Sequence, residues 1–309
     1  MKLQKYNVRL CPSCLMDDKI VNSKISSPDP SELLSFNANK ETWTGLFYKR
    51  TKSFFSYYKC NNCKIIYAPE HFTNQELNNL YKKLPANMVH VPIKILEKTQ
   101  YEYFKLLKKW SSLKGDYLEV GPDIGLFTQY CLLNENIDYF WLFEPNKLVL
   151  PELNKLLGNR KHKIYPTIEQ IDMVDDNKLS TVIIIHVLDH LLEPLKILKN
   201  IRKKMKPGAI ILIVTHDESS IMRKILGWRW PAFCQQHPQL FNYKTTSSIL
   251  NKSGFKVLDQ RKSKNYFEIS FLLKNLLWVF GIKIQKLPRW LNIPVGIKLG
   301  NIITIATAA

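Results

Sequence analysis

Three groups of residues in this 309-residue chain have the types and spacing to do chemistry. Cys11 and Cys14 in "CPSC" and Cys60 and Cys63 in "CNNC" can offer four thiolates to one metal ion. His186, Asp189 and His190 in "HVLDH", with His237 in "QQHPQLF", can exchange protons near neutral pH or ligate a cation. The turn "LEVGPDIG" carries Glu119, Gly121, Asp123 and Gly125, and with the later Glu144 of "YFWLFEP" it sets carboxylates around a glycine turn where a small ligand can dock.

The cysteine hooks favour a closed tetrahedral zinc site, which would hold a small domain together and do no chemistry itself. Neither hook opens an obvious helix, as a redox Cys-x-x-Cys would. Four unrelated free thiols are the alternative. The 45 residues between the hooks exceed a minimal ribbon and include "WTGLFYKRTKSFFSYYK", whose alternation suggests strands leading into the second hook.

These groups need a scaffold, and from Asp116 onward the chain reads as one. Strand-like "DYLEV", a helix from about Gly125 to Asn136, "YFWLFE", the helix of "LVLPELNKLL" and "HKIYP" make a beta-alpha-beta rhythm. It continues through the uniformly apolar "STVIIIHV", the basic helix "EPLKILKNIRKKMK", a turn at Pro207 and Gly208, "AIILIVT", and then "KTTSSILNKSGFKVLDQ", a helix stopped at Gly254 and a further strand. The expected fold class is α/β, a Rossmann-like doubly wound sheet with a small N-terminal zinc-binding module. Its ligand should sit at the carboxyl ends of the strands.

A dinucleotide turn needs three glycines, for the turn, for pyrophosphate approach and for helix packing. Here Gly121 remains, while Asp123 and Leu126 take the other two places. A carboxylate at Asp123 would repel a pyrophosphate, so NAD is disfavoured. A nucleoside with a cationic centre and no phosphate would tolerate it, and S-adenosylmethionine is such a ligand.

"LEVGPDIG" resembles the first motif of class I S-adenosylmethionine-dependent methyltransferases, with Asp123 in place of the middle glycine. The resemblance covers about Asp116 to Leu258. It implies that Glu119 lies near the cofactor's amino-acid portion, that the turn from Gly121 through Asp123 to Gly125 passes beneath it, and that Glu144, 19 residues after Gly125, holds both ribose hydroxyls. The acid expected to contact adenine after "HKIYP" is not evident. "YYKCNNCKIIYAPEHFTNQELNNLY" resembles the zinc-binding module ahead of some bacterial methyltransferases, many of them in sugar or surface-polysaccharide pathways.

His186 and His190 are four residues apart around Asp189, so a helix beginning there would put all three on one side of the cleft. Some methyltransferases of this class with acid-x-x-acid-His at this place bind a divalent cation; here His186 replaces the first acid. A catalytic cation, a cofactor or substrate contact and, for His190, a helix-face histidine all remain open. His237 falls in the substrate-side insertion and is expected to orient or deprotonate the acceptor, with a surface-loop histidine as the alternative. The catalytic candidates are therefore His237, His190 and His186, and His186 also stands among the cofactor contacts. "GWRWP", Gly227 to Pro231, offers two indoles and an arginine suited to a phosphorylated sugar, or to ordinary packing.

Formal charge is +19, spread as +10 over residues 1–114, +3 over 115–258 and +6 over 259–309. The tail "EISFLLKNLLWVFGIKIQKLPRWLNIPVGIKLGN" is apolar, with Trp278, Trp290 and five cations, and suits either a helical pair closing over the sheet or a helix at an anionic membrane. No apolar leader and no run of about 20 uncharged apolar residues occurs, which points to a cytoplasmic, at most membrane-peripheral, protein.

The expected organisation is a zinc-binding module over 1–84, a helical linker over 85–115, a methyltransferase domain over 116–260, and an extension over 261–309 that completes or covers the sheet. The expected activity is methyl transfer from S-adenosylmethionine to a small-molecule or glycolipid acceptor, with a sugar in surface-polysaccharide biosynthesis as the expected class, and with structural Zn2+. An RNA methyltransferase is the rival, weakened because "HVLDH" stands where Asn/Asp-Pro-Pro-Tyr/Phe would modify a nucleobase amine. A non-catalytic zinc protein that binds nucleic acid is the rival from another class. The sequence leaves the oligomeric state open.

Overall fold

A computed structural model describes residues 7–16, 24–26, 54–82, 91–134, 136–279, 281–282, 284 and 286–309. Residues 43–53 of the aromatic insertion, residues 83–90 of the linker and Lys283 lie outside the described residues.

The N-terminal part forms short strands β1 (Asn7–Val8), β2 (Lys24–Ile25), β3 (Tyr57–Lys59), β4 (Ile66–Tyr67) and β5 (Glu70–His71), then helix α1 (Asn74–Tyr81). Thr73 caps α1, its hydroxyl accepting from Glu76 N–H while the Glu76 carboxylate accepts from Thr73 N–H, which fixes where the helix starts and so where Tyr81 ends. The chain continues through α2 (Ile93–Leu107), β6 (Gly115–Val120), α3 (Thr128–Leu132), β7 (Ile137–Phe143), α4 (Leu150–Leu157), β8 (His162–Tyr165), β9 (Leu179–Ile185), α5 (Pro194–Lys204) and β10 (Met205–His216). Next come α6 (Ile221–Leu226), β11 (Gln239–Leu240), α7 (Tyr243–Lys252), β12 (Phe255–Lys262), β13 (Asn265–Glu268), α8 (Ile269–Val279), β14 (Pro294–Ile297) and β15 (Asn301–Ala308).

The central sheet has seven strands in the order β12-β15-β10-β9-β6-β7-β8. β10, β9, β6, β7 and β8 run parallel, whereas β15, the last strand of the chain, inserts antiparallel between β10 and β12. Chain order reverses between β6 and β9, so a crevice opens at their carboxyl ends. One face is covered by α2, α3 and α4 through Leu107, Cys131 and Leu153, the other by α5 and α7 through Leu198 and Ile249. Apolar burial at about 25 cal/mol per Å2 makes these two layers the main source of stability.

The N-terminal module is continuous with this scaffold. Cys11, Cys60, Ile65 and Tyr67 share a core with Leu198 and Ile249, and β4 pairs antiparallel with β11, which belongs to the insertion after β10. Phe54, Tyr57, Phe72 and Leu77 pack with Leu226, Trp230 and Phe233 in a further core.

Two expected helices are corrected. The segment from Gly125 is a turn, and α3 runs only from Thr128 to Leu132, because the chain first stays tight beneath the crevice. No helix spans His186 to His190. His186 has φ +52, His190 closes a single turn on Val187, and helix α5 starts only at Pro194, whose missing N–H suits the first helical position. In the tail the described residues hold one α-helix, α8, whose Phe271, Leu272, Asn275 and Leu276 line the crevice instead of covering the sheet. Among the described residues no helix is long and apolar enough to cross a membrane.

Candidate active site

The crevice is a cavity of about 610 Å3, within the range of small-molecule sites. It runs from the carboxylates at the ends of β6 and β7 to a group of histidines at the ends of β9 and β10.

At the first end Gly121 has φ +69, and a Cβ there would lie 2.6 Å from Val187 Cγ2, so only glycine fits. Asp123 is also left-handed, φ +53, a conformation that aspartate tolerates better than most residues. Its N–H donates to Glu144 Oε2 at 2.9 Å, while Asn146 N–H donates to Glu144 Oε1 at 2.8 Å. Each Glu144 oxygen keeps a lone-pair direction for a further donor, the requirement for gripping a ribose diol. Burial pushes the Glu144 carboxyl up to about 7 against those two N–H groups. Glu119 is 2 % exposed, and its Oε2 accepts from Tyr117 Oη and Thr128 Oγ1, both at 2.6 Å. Burial raises it to about 7 as well, so a cationic ligand would find two carboxylates whose ionisation it would favour.

Gly125 is placed otherwise than the sequence implied. It does not line the cavity; a Cβ there would meet Leu156 Cδ2 at 2.4 Å and Leu153 Cδ1 at 3.0 Å, so its absence lets the turn pack on α4. Glu169, after β8, does line the cavity and stands where the adenine-side acid was not evident.

At the other end Tyr81 Oη lies 2.6 Å from His190 Nδ1, and His190 Nε2 lies 3.0 Å from His237 Nε2. His237 Nδ1 faces the Ala232 carbonyl at 2.7 Å. A carbonyl only accepts, so His237 Nδ1 carries a proton. With neutral rings, His190 Nε2–H then donates to His237 and Tyr81 O–H donates to His190 Nδ1. His237 is 5 % exposed with both nitrogens engaged, so it is no surface-loop histidine; it lines the cavity with its Nε2 against His190. Burial works against charge on His237, but the nearby Cys234 and Asp189 outweigh it and hold the ring up to about 9. Burial and the neighbouring His237 hold His190 well below the usual imidazole range.

Asp189 is fully buried and turned away from His190 toward His216, with Oδ2 2.5 Å from His216 Nδ1 and 3.2 Å from His216 N. His216 was not singled out in the sequence. The signal was its place at the end of the apolar "IILIVTH", matching Glu119 and Glu144 at the ends of β6 and β7. His186 is 5.0 Å from His216 between ring centres, so His186, Asp189 and His216 converge, and the expected trio with His190 does not. "GWRWP" splits similarly: Trp230 is buried and lines the cavity, whereas Arg229 stacks on half-exposed Trp228 at 4.7 Å.

The four module cysteines do come together. Cys11 and Cys63 Sγ are 3.4 Å apart, Cys14 and Cys60 Sγ 3.6 Å, and all four lie within 4.8 Å of one another. Tetrahedral zinc with bonds near 2.3 Å needs sulfurs about 3.8 Å apart, so the set fits the ion. A hydrogen bond from Cys11 holds the Cys63 thiol down to about 5 and pushes Cys11 itself up, the mark of crowded thiols that a cation would relieve. The module also braces the histidines: Tyr57 Oη donates to the His237 carbonyl at 2.6 Å, and Arg9 donates to Pro238 O and Gln239 Oε1.

Residues 95–260 match the family described as "Methyltransferase domain". No curated protein matches the sequence. Among solved structures, a chain of the Haloferax volcanii complex between a methyltransferase activator and a methyltransferase aligns with TM-score 0.50 at 11% identity, covering 70% of this chain and 93% of that one. A Leishmania major S-adenosylmethionine-dependent methyltransferase aligns with TM-score 0.49 at 14% identity, over 75% of this chain and 81% of that one. One from Archaeoglobus fulgidus gives 0.47 at 18%, over 68% and 93%. With the family match spanning more than half of the chain, and the carboxylate-lined crevice at the switch point of its sheet, the chain belongs to the methyltransferase domain family and is an S-adenosylmethionine-dependent methyltransferase.

Proposed function

We propose that the protein methylates a hydroxyl of a small polar acceptor, with a sugar of surface-polysaccharide biosynthesis as the class its features suit best. The observation that carries the reading is one cavity with carboxylates at one end and a hydrogen-bonded Tyr81–His190–His237 chain at the other.

In this reading Glu144 and Glu119 would hold the ribose and amino-acid ends of S-adenosylmethionine, with Gly121, Asp123 and His186 as further contacts, and the bound cofactor would supply an electrophilic methyl group, leaving as S-adenosylhomocysteine. An acceptor hydroxyl donates its proton to Tyr81 Oη as Tyr81 passes its own to His190 Nδ1 and His190 passes its Nε2 proton to His237 Nε2. His237 accepts in its neutral form, and because Cys234 and Asp189 hold the ring up to about 9, that form predominates only above that pH, so the relay predicts turnover that rises with pH toward 9. His190 and His237 thus move the proton and Tyr81 meets the acceptor. Zinc at Cys11, Cys14, Cys60 and Cys63 holds the module that carries Tyr81.

A lipid-linked sugar is the variant supported by α6, where Met222 and Leu226 line the cavity while Ile221 and Ile225 are 65% and 71% exposed. The test is formation of S-adenosylhomocysteine with nucleotide sugars, with a lipid-linked glycan and with oligoribonucleotides. Turnover on either sugar class supports the reading; turnover on RNA alone overturns it.

A further inference from the structure

We propose that His186, Asp189 and His216 form a divalent-cation site at the acceptor end of the cavity. The inference rests on reading this cavity as the site of methyl transfer, and it concerns three side chains that pass no proton in that chain.

The three residues come from two strand ends, His186 and Asp189 after β9 and His216 at the end of β10, and each offers a ligand atom within 4.8 Å of the other two. Their chemistry is two imidazoles and one carboxylate, a set that binds divalent first-row ions and leaves coordination positions open. His186 Nδ1 and Asp189 Oδ1 are buried with no hydrogen-bond partner. The carboxylate oxygen is an acceptor, and His186 Nδ1 is one when the ring proton sits on Nε2; in that tautomer a cation satisfies both. Asp189 is fully buried, so its carboxylate meets a cation where water is largely excluded.

Cis ligands of one ion with bonds near 2.1 Å lie about 3 Å apart, so binding draws the set together by up to about 2 Å. The cation takes the place of the proton that Asp189 Oδ2 and His216 Nδ1 share across 2.5 Å. His186 and His216 line the cavity and Asp189 is buried beside them, so the open positions would point toward bound acceptor. An acceptor with two adjacent oxygens, such as a vicinal diol or a phosphorylated sugar, is the ligand class that such an ion would chelate.

The left-handed φ of +52 at His186 guides the choice of variant, because asparagine tolerates that conformation. The full, zinc-replete chain is titrated with Mn2+ alone, and bound ion is read from loss of the free Mn2+ electron paramagnetic resonance signal. One Mn2+ should bind per chain. Asp189→Asn and His186→Asn should each weaken binding by at least about tenfold, while His190→Gln leaves it within about twofold. Thermal melts and zinc content establish that each variant is folded; if Asp189→Asn does not fold, His186→Asn decides. Absence of Mn2+ binding at millimolar concentration, or equal affinity in folded wild type and His186→Asn, overturns the proposal. The readout needs no acceptor, so a failed search for methyl transfer and a failed cation site give separate results.

Discussion

Replacing Glu119 by glutamine should make the free protein more stable and a poorer binder of its cofactor, and pH should separate the two effects. Burial raises the Glu119 carboxyl from 4.5 to about 7. Below pH 4.5 it is protonated folded and unfolded, and costs nothing. Between 4.5 and 7 the unfolded chain loses the proton that the folded chain keeps, so this residue's contribution to stability falls as pH rises. Above 7 the full cost of a buried charge, about 3 kcal/mol, is present. The glutamine side chain has nearly the same shape, and its carbonyl oxygen can accept from Tyr117 Oη and Thr128 Oγ1 as Oε2 does now, so the packing and both hydrogen bonds survive. In urea denaturation Glu119→Gln should match wild type at pH 4.5 and exceed it by roughly 2–3 kcal/mol at pH 8. Calorimetry at pH 8 should show S-adenosylmethionine affinity reduced at least about tenfold, or 1.4 kcal/mol, for loss of a charge facing the cation. A variant no more stable than wild type at pH 8, or a difference that does not change with pH, would refute the assignment of Glu119 as an electrostatically strained cofactor contact.

Tyr81→Phe should leave cofactor affinity unchanged and lower kcat on the acceptor by about 10²- to 10⁴-fold, since it removes the hydroxyl that starts the proton chain. Gly121→Ala should destabilise the fold in thermal melts, because a methyl group would sit 2.6 Å from Val187 Cγ2 on a left-handed backbone. The purified chain should carry one zinc, and its removal by a chelator should loosen the wall braced by Tyr57 and Arg9, seen as faster hydrogen exchange at residues 232–240; unchanged exchange there would uncouple the module from the site.

The strands were legible because parallel strands covered on both faces leave uninterrupted apolar runs such as "TVIII" and "IILIV", and the cysteine hooks because zinc spacing is written in a few residues. Glu119 and Glu144 were legible as acids ending strands beside a glycine turn. The histidine end was not, because its geometry depends on pairings far apart in sequence. Tyr81 and His190 are 109 positions apart, and Asp189 and His216 are 27 apart. The i, i+4 spacing of His186 and His190 suggested a shared helix face, but the positive φ at His186 and the proline that starts α5 turned the two rings to different partners. Gly125 matched a cofactor motif by position while serving the packing of α4. The last strand is written in the β-branched "NIITIATA", in keeping with an extension that completes the sheet, but nothing local shows that it inserts antiparallel between β10 and β12.

The account stands most directly on Glu144, whose two oxygens are held by Asp123 N–H and Asn146 N–H in the orientation that gripping a diol requires. Calorimetric titration of the zinc-replete chain with S-adenosylmethionine, alongside Glu144→Ala and Tyr81→Phe, tests it. Saturable binding by wild type, weakened at least about thirtyfold in Glu144→Ala and retained in Tyr81→Phe, is the predicted result. No binding by the folded wild-type protein, or equal binding by folded Glu144→Ala, would contradict the account.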